Sequence, residues 1–151
     1  MQEISEAQRL VLELMRYGSF GTFDGDQVAD DLLAHSDLWL ACWWGDHEMP
    51  IRSLADLALH DSPFVTTVYL LTTEDHWKSL VQLAQNWEYT EITVFFQASN
   101  EVLLIKDGKV RPDNPLIRLE LEEYLGYEVD ELGAHLDTDI LVVISVWWDL
   151  V

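Results

Sequence analysis

Each of the five histidines lies within two positions of an aspartate: His35 with Asp37, Asp46 with His47, His60 with Asp61, Asp75 with His76, and His135 with Asp137. A carboxylate beside an imidazole can orient the ring for proton transfer or support it from behind at a metal. The pattern is not diagnostic, because neighbours in sequence often point apart and no interval matches His-Glu-x-x-His or another zinc signature. The densest polar set is Gly45-Asp46-His47-Glu48, directly after a predicted strand, and strand ends commonly carry functional loops. If the chain is a small hydrolase-type enzyme, His47 is its general base with Asp46 or Glu48 beside it; an ordinary solvated turn has the same composition. Cys42, the sole cysteine, excludes an intramolecular disulfide. It sits among apolar neighbours with no local cation or helix N-terminus to stabilise a thiolate, so it is expected to be buried and inert. Asp24-Gly25-Asp26 hints at a calcium loop, but the glycine spacing and terminal Glu of an EF-hand are missing. There is no Walker A sequence, no G-x-G-x-x-G and no G-x-S-x-G. No catalytic residue, metal or cofactor is assigned on these grounds.

Charge offers a different chemistry. Eight Lys and Arg face 28 Asp and Glu, a formal net charge of −20. Direct nucleic-acid binding is disfavoured, since that affinity comes from neutralising phosphates with cations, and an anionic membrane surface is disfavoured likewise. A basic protein, including one whose cationic site normally holds nucleic acid, is the expected partner. Two clusters stand out: Asp24, Asp26, Asp30 and Asp31, and a stretch from Leu119 to Asp139 that holds Glu120, Glu122, Glu123, Glu128, Asp130, Glu131, Asp137 and Asp139 without a Lys or Arg. Either could be a solvated helix face or a docking surface. Trp43-Trp44 and Trp147-Trp148 are adjacent pairs within predicted strands. Successive strand residues point to opposite faces, so each pair puts one indole on each side of a sheet, where Trp43 and Trp44 serve either as core or as binding anchors.

These groups need elements to hold them. Ile4, Ala7, Val11, Leu14 and Met15 share a helical face, with Ser5 and Gln8 spaced as a capping box, and Gly18 and Gly21 end that helix. A second helix is expected over about Asp26 to His35, with Val28, Ala29, Leu32 and Leu33 inward and acids in its first half, where they favour the positive end of the macrodipole. Leu38 to Trp44 and Phe64 to Thr72 read as strands, and Ser53 caps a short helix through about Leu59. Trp77, Leu80, Val81 and Ala84 give the clearest amphipathic helix. Tyr89 to Phe96 and Val102 to Ile105 form an expected hairpin, followed by the turn signal Asp107-Gly108. Between Pro115 and Gly126 a helix is favoured over a strand, and Asp139 to Trp148, apolar almost throughout, is expected to be a central strand.

A chain of 151 residues buries roughly 70% of its unfolded surface, enough for one unstapled core. The expectation is one acidic α+β domain spanning residues 1–151, with a sheet of about five strands, mixed or antiparallel, and helices on one or both faces. The N-terminal residues lack the basic and apolar regions of a signal peptide, and the longest apolar run, Ile140 to Trp148, is too short for a membrane-spanning helix, so a cytoplasmic protein is expected. In composition the chain resembles neutralising proteins, namely toxin-immunity partners and nucleic-acid mimics. That resemblance carries no residue-level motif and transfers no site. It implies an acidic binding protein that neutralises or regulates a basic partner. The alternatives are an assembly or housekeeping subunit whose charge serves solubility or a salty cytoplasm, and the small enzyme using His47.

Overall fold

The computed structural model describes residues 3–45, 55, 58–59, 66–111, 127–136, 138 and 140–149. The described elements run in the order α1 (Glu6–Met15), β1 (Ser19–Phe20), β2 (Phe23–Asp24), α2 (Gly25–Ala34), β3 (Ala41–Gly45), β4 (Thr67–Thr73), α3 (Trp77–Ala84), β5 (Glu91–Phe96), β6 (Val102–Lys106), β7 (Lys109–Arg111), α4 (Tyr127–Leu136) and β8 (Leu141–Trp147), with a single 3-10 turn, Gln85–Trp87, after α3. The α+β class is as expected. The main sheet has six strands in the order β3-β4-β8-β5-β6-β7, every pairing antiparallel, and β1 with β2 forms a separate two-stranded ribbon.

β8 lies between β4 and β5, the two strands that α3 connects. Both are antiparallel to β8 and therefore parallel to each other, so β4–α3–β5 is a split βαβ unit closed by the last strand. The central position of β8 explains its lost alternation. Val142, Ile144 and Val146 enter the main core with Leu12, Met15, Val28, Leu32, Leu80 and Val81 from α1, α2 and α3, while Leu141 and Val143 join Phe95 and Val102 in a smaller cluster on the other face. α1, α2 and α3 thus cover one face of the sheet, and the opposite face has a small apolar patch of its own.

Several boundaries differ from expectation for local reasons. β3 starts at Ala41, not Leu38, because Trp39 donates its indole N–H to the Leu32 carbonyl at 2.9 Å and covers the end of α2 instead of extending the strand. β7 was not foreseen as a strand. Asp107 and Gly108 have φ of 54° and 72°, the paired left-handed conformations of a tight hairpin turn, and that turn returns the chain to pair Lys109 with Lys106. Ser5 caps α1 by accepting from Gln8 N at 3.1 Å, but the reciprocal half of the capping box is missing. Gln8 instead donates from Nε2 to the Cys42 carbonyl at 2.9 Å and accepts from Cys42 N at 2.8 Å. The inward face of α1 is also rotated from the expected one. Leu12 and Met15 are buried and Ile4 and Val11 half-buried, whereas Ala7 and Leu14 are exposed. The helix expected between Pro115 and Gly126 lies outside the described residues, as does most of the one expected from Ser53 to Leu59.

Candidate functional site

The Asp24 to Asp31 cluster is built into the fold one residue at a time. Asp24 is the N-cap of α2 and accepts from Gln27 N at 3.2 Å. Arg16, just past α1, reaches Asp30 at 2.8 Å and Asp26 at 3.3 Å, and also Glu13 at 3.3 Å. These carboxylates, Asp30 foremost, raise the guanidinium's pKa further above its already high ordinary value. Asp31 accepts the indole N–H of buried Trp87 at 2.8 Å. Each of the four carboxylates therefore has an internal partner, although Asp26 and Asp30 keep most of their side-chain surface in solvent. Of the second cluster, Glu131 is exposed on α4, Glu128 and Asp130 belong to the same helix, and Glu120, Glu122, Glu123 and Asp137 lie outside the described residues, with Asp139.

The tryptophan pairs split across the sheet. Trp44 and Trp148 are buried against the helices, Trp44 beside Phe23 and Trp148 beside both Phe23 and Trp87. Trp147 is half-buried on the other face, and Trp43 is 57% exposed there. Trp43 and the Asp24 to Asp31 cluster, both candidate binding residues, thus sit on opposite sides of the sheet.

His35 turns Nδ1 to the carbonyl of Asp31 at 2.9 Å, so it donates to backbone and not to the Asp37 carboxylate. His76, just before α3, and His135 on α4 are both exposed. The Asp46-His47-Glu48 loop and the His60-Asp61 pair lie outside the described residues. Among the described residues no group of three metal-ligating side chains converges. Cys42 is buried, and burial pushes its thiol well above the ordinary range, so it stays protonated beside Met15 Sδ at 3.9 Å.

A groove that sequence reading missed opens at the start of α3. Its cavity of about 400 Å³ is lined by Glu74, Asp75, Trp77, Lys78, Phe96, Ser99 and Glu101. The β4–α3 connection supplies Glu74 and Asp75, held where Glu74 N donates to the Ile140 carbonyl at 3.2 Å and His76 N to Thr73 at 3.1 Å. The β5–β6 hairpin supplies the far wall. Its turn closes with Asn100 N on Phe96 O at 2.9 Å, Asn100 having φ of 56°, a left-handed conformation that asparagine tolerates. Trp77 and Phe96 meet edge to face at 5.1 Å and form the apolar floor, and Lys78 Nζ lies 5.7 Å from the Trp77 ring centre. No family model, curated protein or solved structure matches this chain. The groove must therefore be read from its own chemistry. Three acidic residues beside an aromatic pair suit an ammonium or guanidinium group, which gains from both the charge and the ring faces. The lining contains neither imidazole nor thiol. In sequence these residues are scattered over positions 74–101, and only the return of β5 beside β8 brings them together.

Proposed function

We propose that the protein is an acidic binding protein that neutralises or regulates a basic protein partner by occupying its cationic site. The observation that supports this most directly is the groove, where Glu74, Asp75 and Glu101 line the same cavity as Trp77 and Phe96, with Lys78 the one cation among its described lining residues. The formal charge of −20 adds long-range attraction, which speeds encounter with a positive partner. The exposed part of the Asp24 to Asp31 cluster and the acids of Glu120 to Glu131 extend that field, and Trp43 is an exposed aromatic anchor on the far face. No chemistry is required of such a protein. Among the described residues no helix is long and apolar enough to cross a membrane.

The test has two stages. The protein is immobilised in a lysate of its source cells and washed at low and then high salt, and association kinetics are then measured with the purified partner across ionic strengths. A stoichiometric basic partner is expected. Changing Glu74→Gln, Asp75→Asn and Glu101→Gln together should slow association by about tenfold and flatten its salt dependence. Neutralising Glu120, Glu122, Glu123, Glu128, Asp130 and Glu131 tests the second cluster in the same way. Kinetics unchanged in both variants would overturn the reading.

A further inference from the structure

α1 is apolar on two faces, and the domain covers one of them. Leu12 and Met15 are buried in the core, while Ala7, Leu10, Leu14 and Tyr17 face solvent, Leu10 exposed by 56%, Leu14 by 42% and Tyr17 by 60%. These four follow the 3-4-3 spacing of successive a and d positions in a heptad repeat. Tyr17 stays in line because its N–H closes a last turn onto the Leu14 carbonyl at 3.1 Å. An amphipathic helix ordinarily exposes polar residues on its outer face; one apolar on both sides is ordinarily covered on both. In this register Glu6 and Glu13 take the two g positions, which flank the seam and set partner choice. Arg16 reaches Glu13, but its guanidinium is shared with Asp26 and Asp30, so the flank stays negative.

We propose that this seam docks a helix of a partner protein that carries apolar a and d residues flanked by Lys or Arg. The sign of the flank rests on the acidic-binder reading; the apolar seam does not. A second copy of this chain is the poorer occupant. Antiparallel pairing sets Glu6 against Glu13, parallel pairing leaves Glu6 opposite Val11 with no cation to meet it, and each copy brings a charge of −20.

The probe is a synthetic labelled peptide of about three heptads with Leu at a and d and Lys at e and g, compared with the same peptide carrying Glu at e and g. Binding is read by fluorescence anisotropy against the intact protein, Leu10→Ser/Leu14→Ser, Glu6→Lys/Glu13→Lys and, as a remote control, Val110→Ser on β7. The Lys peptide should bind the intact protein and the control equally, and Leu10→Ser/Leu14→Ser about tenfold or more weakly. The charge-reversed protein should switch its preference to the Glu peptide, a readout that loss of folding would not produce. Equal binding to intact and Leu10→Ser/Leu14→Ser protein overturns the seam. If that binding instead depends on Glu74, Asp75 and Glu101, the acidic-binder reading survives without it. Equal binding of both peptides to the intact protein overturns the basic-flanked occupant and with it the proposal, while the Glu74, Asp75 and Glu101 variant decides the acidic-binder reading separately. Self-association of the intact protein that Leu10→Ser/Leu14→Ser abolishes makes a second copy the occupant and overturns the proposal.

Discussion

Three buried tryptophans, Trp39, Trp87 and Trp148, are anchored at their polar ends. Trp39 donates to Leu32 O at 2.9 Å, Trp148 to Trp87 O at 3.0 Å and Trp87 to Asp31 Oδ2 at 2.8 Å. A buried indole N–H with no acceptor would carry its full desolvation cost, so these contacts choose among packings of similar area. The Trp87 bond is the strongest of the three in kind, because its acceptor is a charged carboxylate. Trp87→Phe keeps most of the ring volume and loses that bond, so a loss of about 2 kcal/mol is expected in urea unfolding. Asp31→Asn retains an acceptor oxygen and should cost less. Cys42 gives a second check: with the thiol buried and its ionisation suppressed, a thiol reagent at neutral pH should label it only as the protein unfolds. Rapid labelling of the native protein would contradict the burial.

Among the secondary elements, the joint between α1, α2 and the sheet edge carries the most constraint. β3 is an edge strand, and unpaired edge groups invite pairing with another chain. The Gln8 amide occupies the N–H and C=O of Cys42 as a neighbouring strand would. Gln8→Ala leaves both groups open and should cost about 1–2 kcal/mol of unfolding free energy, with more aggregation at high concentration by light scattering. At the start of α2, Gly25 N donates to Gly18 O at 3.1 Å, and a Cβ on Gly25 would collide with the Met15 carbonyl. Helix propensity alone favours alanine over glycine. The close approach of the two helices reverses that preference, so Gly25→Ala should destabilise by about 1–3 kcal/mol and lower Tm. Periodicity in the sequence located α1 but set its inward face partly wrong, grouping Ala7 and Leu14 with Ile4, Val11 and Met15 and leaving out Leu12. Ala7 and Leu14 belong to one apolar stripe and Leu12 to the other, and both satisfy helical spacing. Only packing against β3 and α2 selects between them.

Taken together, the charges act on the whole chain. Repulsion within a chain of −20 opposes compaction and weakens as salt screens it. Thermal unfolding should therefore move to higher temperature between low salt and about 0.5 M NaCl, where the Debye length falls well below the domain's dimensions. A modest rise that levels off fits screening in an acidic binder. A steep rise continuing into molar salt would favour a subunit adapted to a salty cytoplasm. Composition and periodicity made much of this architecture readable in advance: the capped start of α1, α2 and α3, the β5–β6 hairpin and the central place of β8 each depend on residues close together in the chain, or on apolar runs that need cover on both sides. The charge excess and the isolation of Cys42 were legible for the same reason, being properties of residue types. The rest is tertiary. That the Asp24 to Asp31 carboxylates meet Arg16 and Trp87, that Trp43 and that cluster part company across the sheet, and that Glu74, Asp75 and Glu101 converge over Trp77 and Phe96 all depend on which distant segments become neighbours. A side chain's partners are set by packing across the sheet, and local spacing carries no information about that distance.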